Sequence, residues 1–439
     1  MNSGGAEVRD STLIYGPVKT GRRRGATPAE VLHCDAVSLE NLAERFGTPL
    51  YVYSAAMIRE RMRTFNAAFS QVPHIVCYSV KANSNLGILR LLARTKCGFD
   101  VVSGGELERV LRVNRALARK VVFSGVGKTR EEMRAALKAN ILLFNVESES
   151  ELQALAECAS LAKKTARIAL RVNPDVPAET HPYIATGLHQ HKFGVPVVDA
   201  VRLYARAAKA KHLAVAGVSV HIGSQITDVR PFAAAMERVA ELVRQLRAEG
   251  HAITYVDAGG GLGIAYERAG SSGFAEQVTA YARAVQQPLQ GLNVHLLLEP
   301  GRCIVGPAGL LLTRVLYKKA NDGKRFLVVD AAMNDLLRPS LYGAYHEVVP
   351  VRQASSTPRE TLDVVGPICE SGDFLARDRE LPVTQEGDVL AVLDTGAYGM
   401  ALASNYNTRP RPAELMVDRK SVKVIRRRES TRELFRSES

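Results

Sequence analysis

The chain has 439 residues, 46% of them hydrophobic, which is enough for a large core and two domains. No window approaches eighteen uninterrupted apolar residues and the opening MNSGGAEVRD has no apolar signal-peptide core, so no membrane partner is expected. The net charge of +13 raises nucleic acid as a partner, but five basic against two acidic side chains sit in residues 1–25 and eight against three in 419–439. The body is therefore nearly balanced. No aromatic residues interleave with GRRRG or VIRRRES, which read as solvated tails rather than a nucleic-acid footprint.

Along the chain, residues 1–25 read as a flexible basic extension. Residues 26–54, with a strand at PLYVY (49–53), read as a segment that joins a later β domain. From residue 55 a regular alternation begins. Apolar, β-branched runs recur as IVCYSV (75–80), GFDVV (98–102), VVF (121–123), ILLF (141–144), RIALRV (167–172), VAGVSV (215–220), ITYV (253–256) and VHLLLE (294–299). Helix-like stretches lie between them, such as SGGELERVLRVNRAL and RPFAAAMERVAELVRQLRAEG, where apolar residues recur at three- and four-residue steps until Gly250 stops the helix. Eight strands alternating with helices predict an α/β fold with a closed (β/α)8 TIM barrel over 55–302; an open doubly wound sheet is the main rival. After Arg302 come CIVGPAGLLLTRVLY, RFLVVD, ETLDVVGPIC and DVLAVLDTG, strand-like runs separated by Gly, Pro and charged turns. They predict a second, mostly antiparallel β domain over 303–439, ending in a basic tail. The six cysteines (Cys34, Cys77, Cys97, Cys158, Cys303, Cys369) lie far apart without a CxxC pair, so neither a zinc site nor a disulfide framework is expected, but reduced thiols in a cytoplasmic protein.

Barrel chemistry collects at the C-terminal ends of the strands. Here those ends carry Lys81, Ser103, Asn173, His221, the glycines after Asp257, and Glu299. A lysine delivered by YSVKAN at the end of an apolar strand either snorkels to water or is used for its nitrogen. A lone strand-end histidine is more often structural, but lysine, histidine and glutamate on one rim point to a site. In DAGGGLG (257–263) successive backbone N–H groups can approach a phosphate without Cβ obstruction. The run is no dinucleotide fingerprint, because Ile264 or Tyr266 stands where the third glycine of that motif belongs. EPGR (299–302) ends the eighth strand with an acid, a rigid turn and a guanidinium. A phosphate cradle, a rim lysine and a rim carboxylate together point to pyridoxal 5'-phosphate, with Lys81 as the covalent ligand of its aldehyde.

With YSVKANSN, FDVVSGGE, NPDVPAETHPYIATGLHQHKFG, HIGSQ, GGGLG, EPGR, RPSLYGAYHE, GPICESGDFLARDREL and GAYGMALASNYNTRPRPAE in this order, the chain resembles the diaminopimelate decarboxylases, fold-type III pyridoxal-phosphate enzymes of lysine biosynthesis. The resemblance runs from about residue 38 to 428. It implies decarboxylation of meso-2,6-diaminopimelate to L-lysine and CO2. It also implies that Lys81 binds the cofactor covalently, that His221 stacks on its ring, and that Glu299 meets the pyridine nitrogen. Ser224, Gly259, Gly260, Gly261 and the backbone of Glu299, Pro300, Gly301 and Arg302 would take the phosphate. Arg302, Arg338 and Tyr342 would hold the substrate's distal carboxylate and Glu370 its distal ammonium. Cys369 would supply a proton, and Tyr398 would lie near cofactor and substrate. A homodimer with shared active sites is implied as well. The residue types suit these tasks, since arginine offers a planar fork of donors to a carboxylate.

The resemblance gives His189 and His191 no role. Three rival functions remain to be weighed. Decarboxylases of ornithine, lysine or arginine act on a distal cation that paired arginines would oppose. An alanine-racemase-like enzyme would place arginine where Glu299 stands. A catalytically dead binding protein would be expected to lack Lys81 or Cys369.

Overall fold

The computed structural model describes residues 13–17, 29–176, 192–267, 273–354 and 357–438. His189, His191 and the GRRRG run lie outside the described residues. By its internal contacts the chain divides into two units, one spanning 61–304 apart from 266–269, the other built from the chain on either side of that span together with 266–269.

The first unit is a barrel. Its strands are β1 (His74–Ser79), β2 (Gly98–Val101), β3 (Val121–Phe123), β4 (Leu143–Val146), β5 (Ala166–Asn173), β6 (Leu213–Val220), β7 (Tyr255–Asp257) and β8 (His295–Leu298). Each pairs in parallel with the next, and β8 pairs with β1 to close the ring. Two strands start later than the apolar runs suggest. Before β4, Ile141 and Leu142 are buried but belong to the turn that leaves left-handed Asn140 (φ 59°). Before β7, Ile253 is likewise buried but not in the strand.

Short turns carry the rim. After β2, Ser103 caps the helix Gly104–Val113 by accepting from the Glu106 N–H, and Ser148 does the same for Glu149–Leu161 after β4. Thr129 and Glu132 form a full capping box at the start of Arg130–Ala139. Cys77, Val122, Leu143, Ala169, Ala216 and Leu297 form an apolar cluster that fills part of the barrel. Towards the strand ends the buried residues turn polar: Ser79, Asp100, Asn145, Arg171, Ser219 and Asp257.

The second unit is built on strand Leu50–Ser54, buried at every position. It lies antiparallel to Gly309–Asn321 and parallel to Ala413–Asp418. Gly309–Asn321 pairs antiparallel with Lys324–Val329 and Val389–Val392, and Arg359–Val365 pairs antiparallel with Phe374–Pro382. Leu50, Val52, Leu310, Leu312, Leu415 and Val417 share its core.

At both chain ends some of the residues read as flexible or solvated are tied into the fold. Within 1–25, Leu13–Pro17 is a strand antiparallel to Ala29–Cys34; Leu13 is buried and the Tyr15 hydroxyl donates to the Pro350 carbonyl at 2.6 Å. At the other end, Ser421–Arg426 forms a hairpin with Ala413–Asp418. Of the arginine triplet there, Arg427 is exposed and Arg426 and Arg428 are half-buried. Arg426 pairs with Glu414 and Arg427 with Glu433, while Arg428 donates to the carbonyls of Phe46, Gly47 and Pro49, the last at 2.7 Å. Each guanidinium has a partner, for Arg428 one nearly four hundred residues away, which composition alone does not reveal.

Candidate active site

The residues singled out from the sequence fall into two sets, one in each unit. On the barrel, Lys81 lies in the single turn Val80–Ala82 that directly follows β1. Its Nζ donates to Asp100 Oδ2 at 2.6 Å, and the Ser79 hydroxyl donates to the same oxygen at 2.6 Å. Asp100 is fully buried, and its Oδ1 has no hydrogen-bond partner among the described residues. Its carboxylate therefore orients the amine at the rim.

Beside it, Glu299 sits just past the end of β8, buried, and receives a hydrogen bond from the Ser124 hydroxyl at 3.2 Å. Burial, then the charges of Asp100 and Asp257, push the Glu299 carboxyl well above the usual carboxylate range. Burial also raises Asp257, which accepts from Asn145 Nδ2 at 2.6 Å and from the Gly259 N–H at 3.0 Å. The two carboxyls share a hydrogen bond that favours the proton on Glu299.

His221 follows β6. Its Nδ1 accepts from the Gly260 N–H at 3.1 Å, which places any ring proton on Nε2. Burial, helped by the charges of Arg171 and Lys81, holds this imidazole well below its ordinary pKa, so it is neutral at physiological pH.

The glycine run wraps these groups closely. A Cβ on Gly259 (φ 67°) would meet the Val220 carbonyl oxygen at 2.4 Å, and one on Gly260 would meet the Glu299 carbonyl oxygen at 2.3 Å. One on Gly261 (φ 110°) would meet the Gly223 carbonyl oxygen at 2.5 Å. No other residue fits this turn. Nearby, Arg302 is buried and donates from Nη2 to Ser224 Oγ at 3.1 Å. The Pro300 carbonyl accepts from the Ser79 N–H at 3.1 Å, and a Cβ on Gly301 would press on Ala82 and Ser79. EPGR is thus stitched to the Lys81 turn.

Of the other rim residues read from the sequence, Ser103 is a helix cap and Asn173 donates from Nδ2 to the Phe193 carbonyl at 2.7 Å.

In the second unit, Arg338 opens the short helix Arg338–Tyr342. Arg338 is buried; Tyr342, at the other end of that helix, is half-buried. Cys369 is the one exposed cysteine among the described residues, and its N–H donates to Asn407 Oδ1 at 3.0 Å. Glu370 is hydrogen-bonded by the Tyr406 phenol, whose pKa it raises. Asp373 pins this loop by accepting from the Met333 and Ile368 N–H groups, each at 2.7 Å. Tyr398 sits in left-handed backbone (φ 57°) and is half-buried.

The barrel set fits pyridoxal phosphate. It offers a primary amine held at a rim, a cradle with no room for any Cβ, and a buried carboxyl that a pyridinium would allow to ionise. Asp100, Asp257, Asn145 and Ser124 are additions that the sequence reading passed over. Their one signal was an acid inside the apolar run GFDVV.

Comparison with known proteins agrees with the donor set. Residues 55–306 match the family model described as pyridoxal-dependent decarboxylase, pyridoxal binding domain. A diaminopimelate decarboxylase from Pseudomonas aeruginosa is 52% identical over 410 residues, covering 93% of this chain and 97% of its own length. The crystal structure of diaminopimelate decarboxylase from Helicobacter pylori complexed with L-lysine superimposes with a TM-score of 0.86 at 42% identity, covering 91% of this chain and 98% of that one. The M. jannaschii enzyme in co-complex with L-lysine gives a TM-score of 0.89 at 38% identity, covering 98% of both chains. With identity at this level along nearly the whole length, the chain belongs to the diaminopimelate decarboxylase family, whose cofactor is pyridoxal phosphate.

Proposed function

We propose that the protein decarboxylates meso-2,6-diaminopimelate to L-lysine and CO2, the last step of lysine biosynthesis, as a cytoplasmic homodimer. The observation that carries this reading is the barrel rim itself: Lys81, neutral His221 and proton-retaining Glu299 gathered around the Gly259–Gly261 turn. Bound pyridoxal phosphate supplies the sink for the electron pair left when CO2 departs.

The chain's own residues do the rest. Lys81 Nζ would hold the cofactor covalently, and Asp100 orients that amine. His221 packs its uncharged ring on the cofactor's face; a charged imidazolium there would oppose a protonated pyridine. The N–H groups of the glycine turn, with Ser224 and the EPGR backbone, take the phosphate. Glu299 would meet the pyridine nitrogen of the bound cofactor, where its raised carboxyl could share a proton with that nitrogen. In the second unit, Arg338 and Tyr342, with Arg302 from the barrel, hold the distal carboxylate, and Glu370 the distal ammonium. Cys369 delivers a proton from Sγ to the carbon that has lost CO2. Tyr398 lies near cofactor and substrate.

Because these groups divide between two units of the chain, a complete site calls for a barrel set and a Cys369–Glu370 set to meet. We assign that meeting to the two-fold interface of a homodimer, in which each subunit lends its CES segment to the other. Paired arginines select against ornithine, lysine and arginine, whose distal ends are cationic.

Carbon dioxide release measured with the diaminopimelate stereoisomers, lysine and ornithine tests the assignment. Release from the meso isomer far above all others is expected. Preference for lysine or ornithine would overturn it.

A further inference from the structure

Arg338 does not stand alone in its unit. Its Nη1 lies 2.7 Å from His346 Nε2, and the other ring nitrogen, Nδ1, lies 2.7 Å from the Leu393 carbonyl oxygen. These two distances fix the protonation of the ring. A carbonyl only accepts, so Nδ1 carries the hydrogen; a guanidinium only donates, so Nε2 holds the lone pair. His346 is therefore a neutral acceptor whose orientation is set by backbone. That backbone is itself anchored, since the Leu393 N–H donates to the Glu347 carbonyl at 2.8 Å and Val348–Pro350 pairs antiparallel with Val389–Val392.

The local sequence explains how a residue eight positions on comes back to Arg338. The helix Arg338–Tyr342 is stopped by Gly343 in left-handed backbone (φ 59°), and the Ala344 N–H returns to the Arg338 carbonyl at 3.3 Å. The chain then reaches His346, fully buried two residues before the strand Val348–Pro350. Tyr266 completes the enclosure: the Arg338 guanidinium lies over its ring at 4.8 Å, and the same ring meets His346 edge-on at 5.2 Å and 74°.

We infer that His346 is a positioning residue for substrate recognition, holding Arg338 in the orientation that meets the distal carboxylate before substrate arrives. The inference rests on the reading of Arg338 given above. An arginine side chain has four rotatable bonds, and fixing it in advance removes an ordering loss from the binding step. A histidine kept only to satisfy the core would have no influence on which ligands bind.

L-lysine separates these roles, because the product keeps the substrate's distal carboxylate, whereas 1,5-diaminopentane has none. Binding of both to the holoenzyme is measured by calorimetry for the wild type, His346→Asn, His346→Gln and Arg338→Ala. Asparagine can still donate to Leu393 but is too short to reach Arg338; glutamine restores an acceptor near the Nε2 position. His346→Asn is expected to weaken L-lysine roughly tenfold, and His346→Gln to recover most of that loss. Neither should change the affinity for 1,5-diaminopentane. Wild-type lysine affinity in a folded His346→Asn, with Arg338→Ala impaired, overturns the positioning role alone. Equal loss for both ligands also overturns it, because the effect is then general. Unchanged lysine binding in Arg338→Ala sinks the underlying reading of Arg338 instead. Should His346→Asn not fold, nitrogen spectra of histidine-labelled wild-type holoenzyme decide. The Nδ1–H tautomer signal of His346 must shift with L-lysine and not with 1,5-diaminopentane; a signal indifferent to both overturns the inference.

Discussion

Replacing Gly260 by alanine probes the tightest point of the cofactor cradle. The new Cβ would stand 2.3 Å from the Glu299 carbonyl oxygen and 3.2 Å from its carbon. Relief requires about 1 Å of separation between two backbone segments, since the obstructing atom is no flexible side-chain tip. Those segments are tied, because the Glu299 N–H donates to the Gly259 carbonyl at 2.8 Å and the Gly260 N–H to His221 at 3.1 Å. Overpacking costs about 1–3 kcal/mol and a lost hydrogen bond about 1 more. If that appears in cofactor binding, affinity falls on the order of a hundredfold. The assay is titration of the apoenzyme with pyridoxal phosphate followed by visible absorbance, alongside thermal melting. Gly127→Ala is the control, because no atom lies within 4 Å of its Cβ. A Gly260→Ala protein with wild-type affinity and wild-type melting would refute the close-packed cradle.

Lys81→Ala and Cys369→Ala chains, each nearly inactive alone, should regain about a quarter of wild-type sites when mixed and allowed to exchange, because about half the dimers are mixed and each holds one intact site. No recovery despite demonstrated exchange would place each site within one chain. Asp373→Ala strands two backbone N–H groups, those of Met333 and Ile368, and should lower stability by about 2 kcal/mol or more in denaturant unfolding while loosening the Cys369 loop; an unchanged midpoint would contradict the pinning. Burial raises the Asp335 carboxyl to about 7, so the folded chain keeps a proton that the unfolded chain releases near pH 4. Its contribution to stability is thus lost as pH rises from about 4 towards 7, and Asp335→Asn should flatten that part of the profile. A variant with the wild-type slope would show that Asp335 does not titrate there.

Much of the fold was legible because barrel strands advertise themselves. Apolar, β-branched runs such as IVCYSV and RIALRV suit strands covered on both faces, whereas Ser103, read as a rim residue, is a helix cap. The rim residues were legible for the opposite reason, since Lys81, His221 and Glu299 are out of place at the ends of such strands. What escaped was partnership. Nothing in GFDVV says that Asp100 meets Lys81, nor does YGAYHE say that His346 turns back onto Arg338, because each contact is made by folding. The arginine triplet at 426–428 shows the same limit: its charge was visible, and the carboxylates and carbonyls that meet Arg426 and Arg428 were not.

In the proposed mechanism everything depends on Lys81 carrying the cofactor. Borohydride reduction of the holoenzyme, followed by proteolysis and mass spectrometry, tests it directly. A single pyridoxyl adduct is expected, on the peptide containing YSVKAN, with loss of the protein's yellow absorbance. An adduct on another lysine, or none on a yellow and active protein, would contradict it.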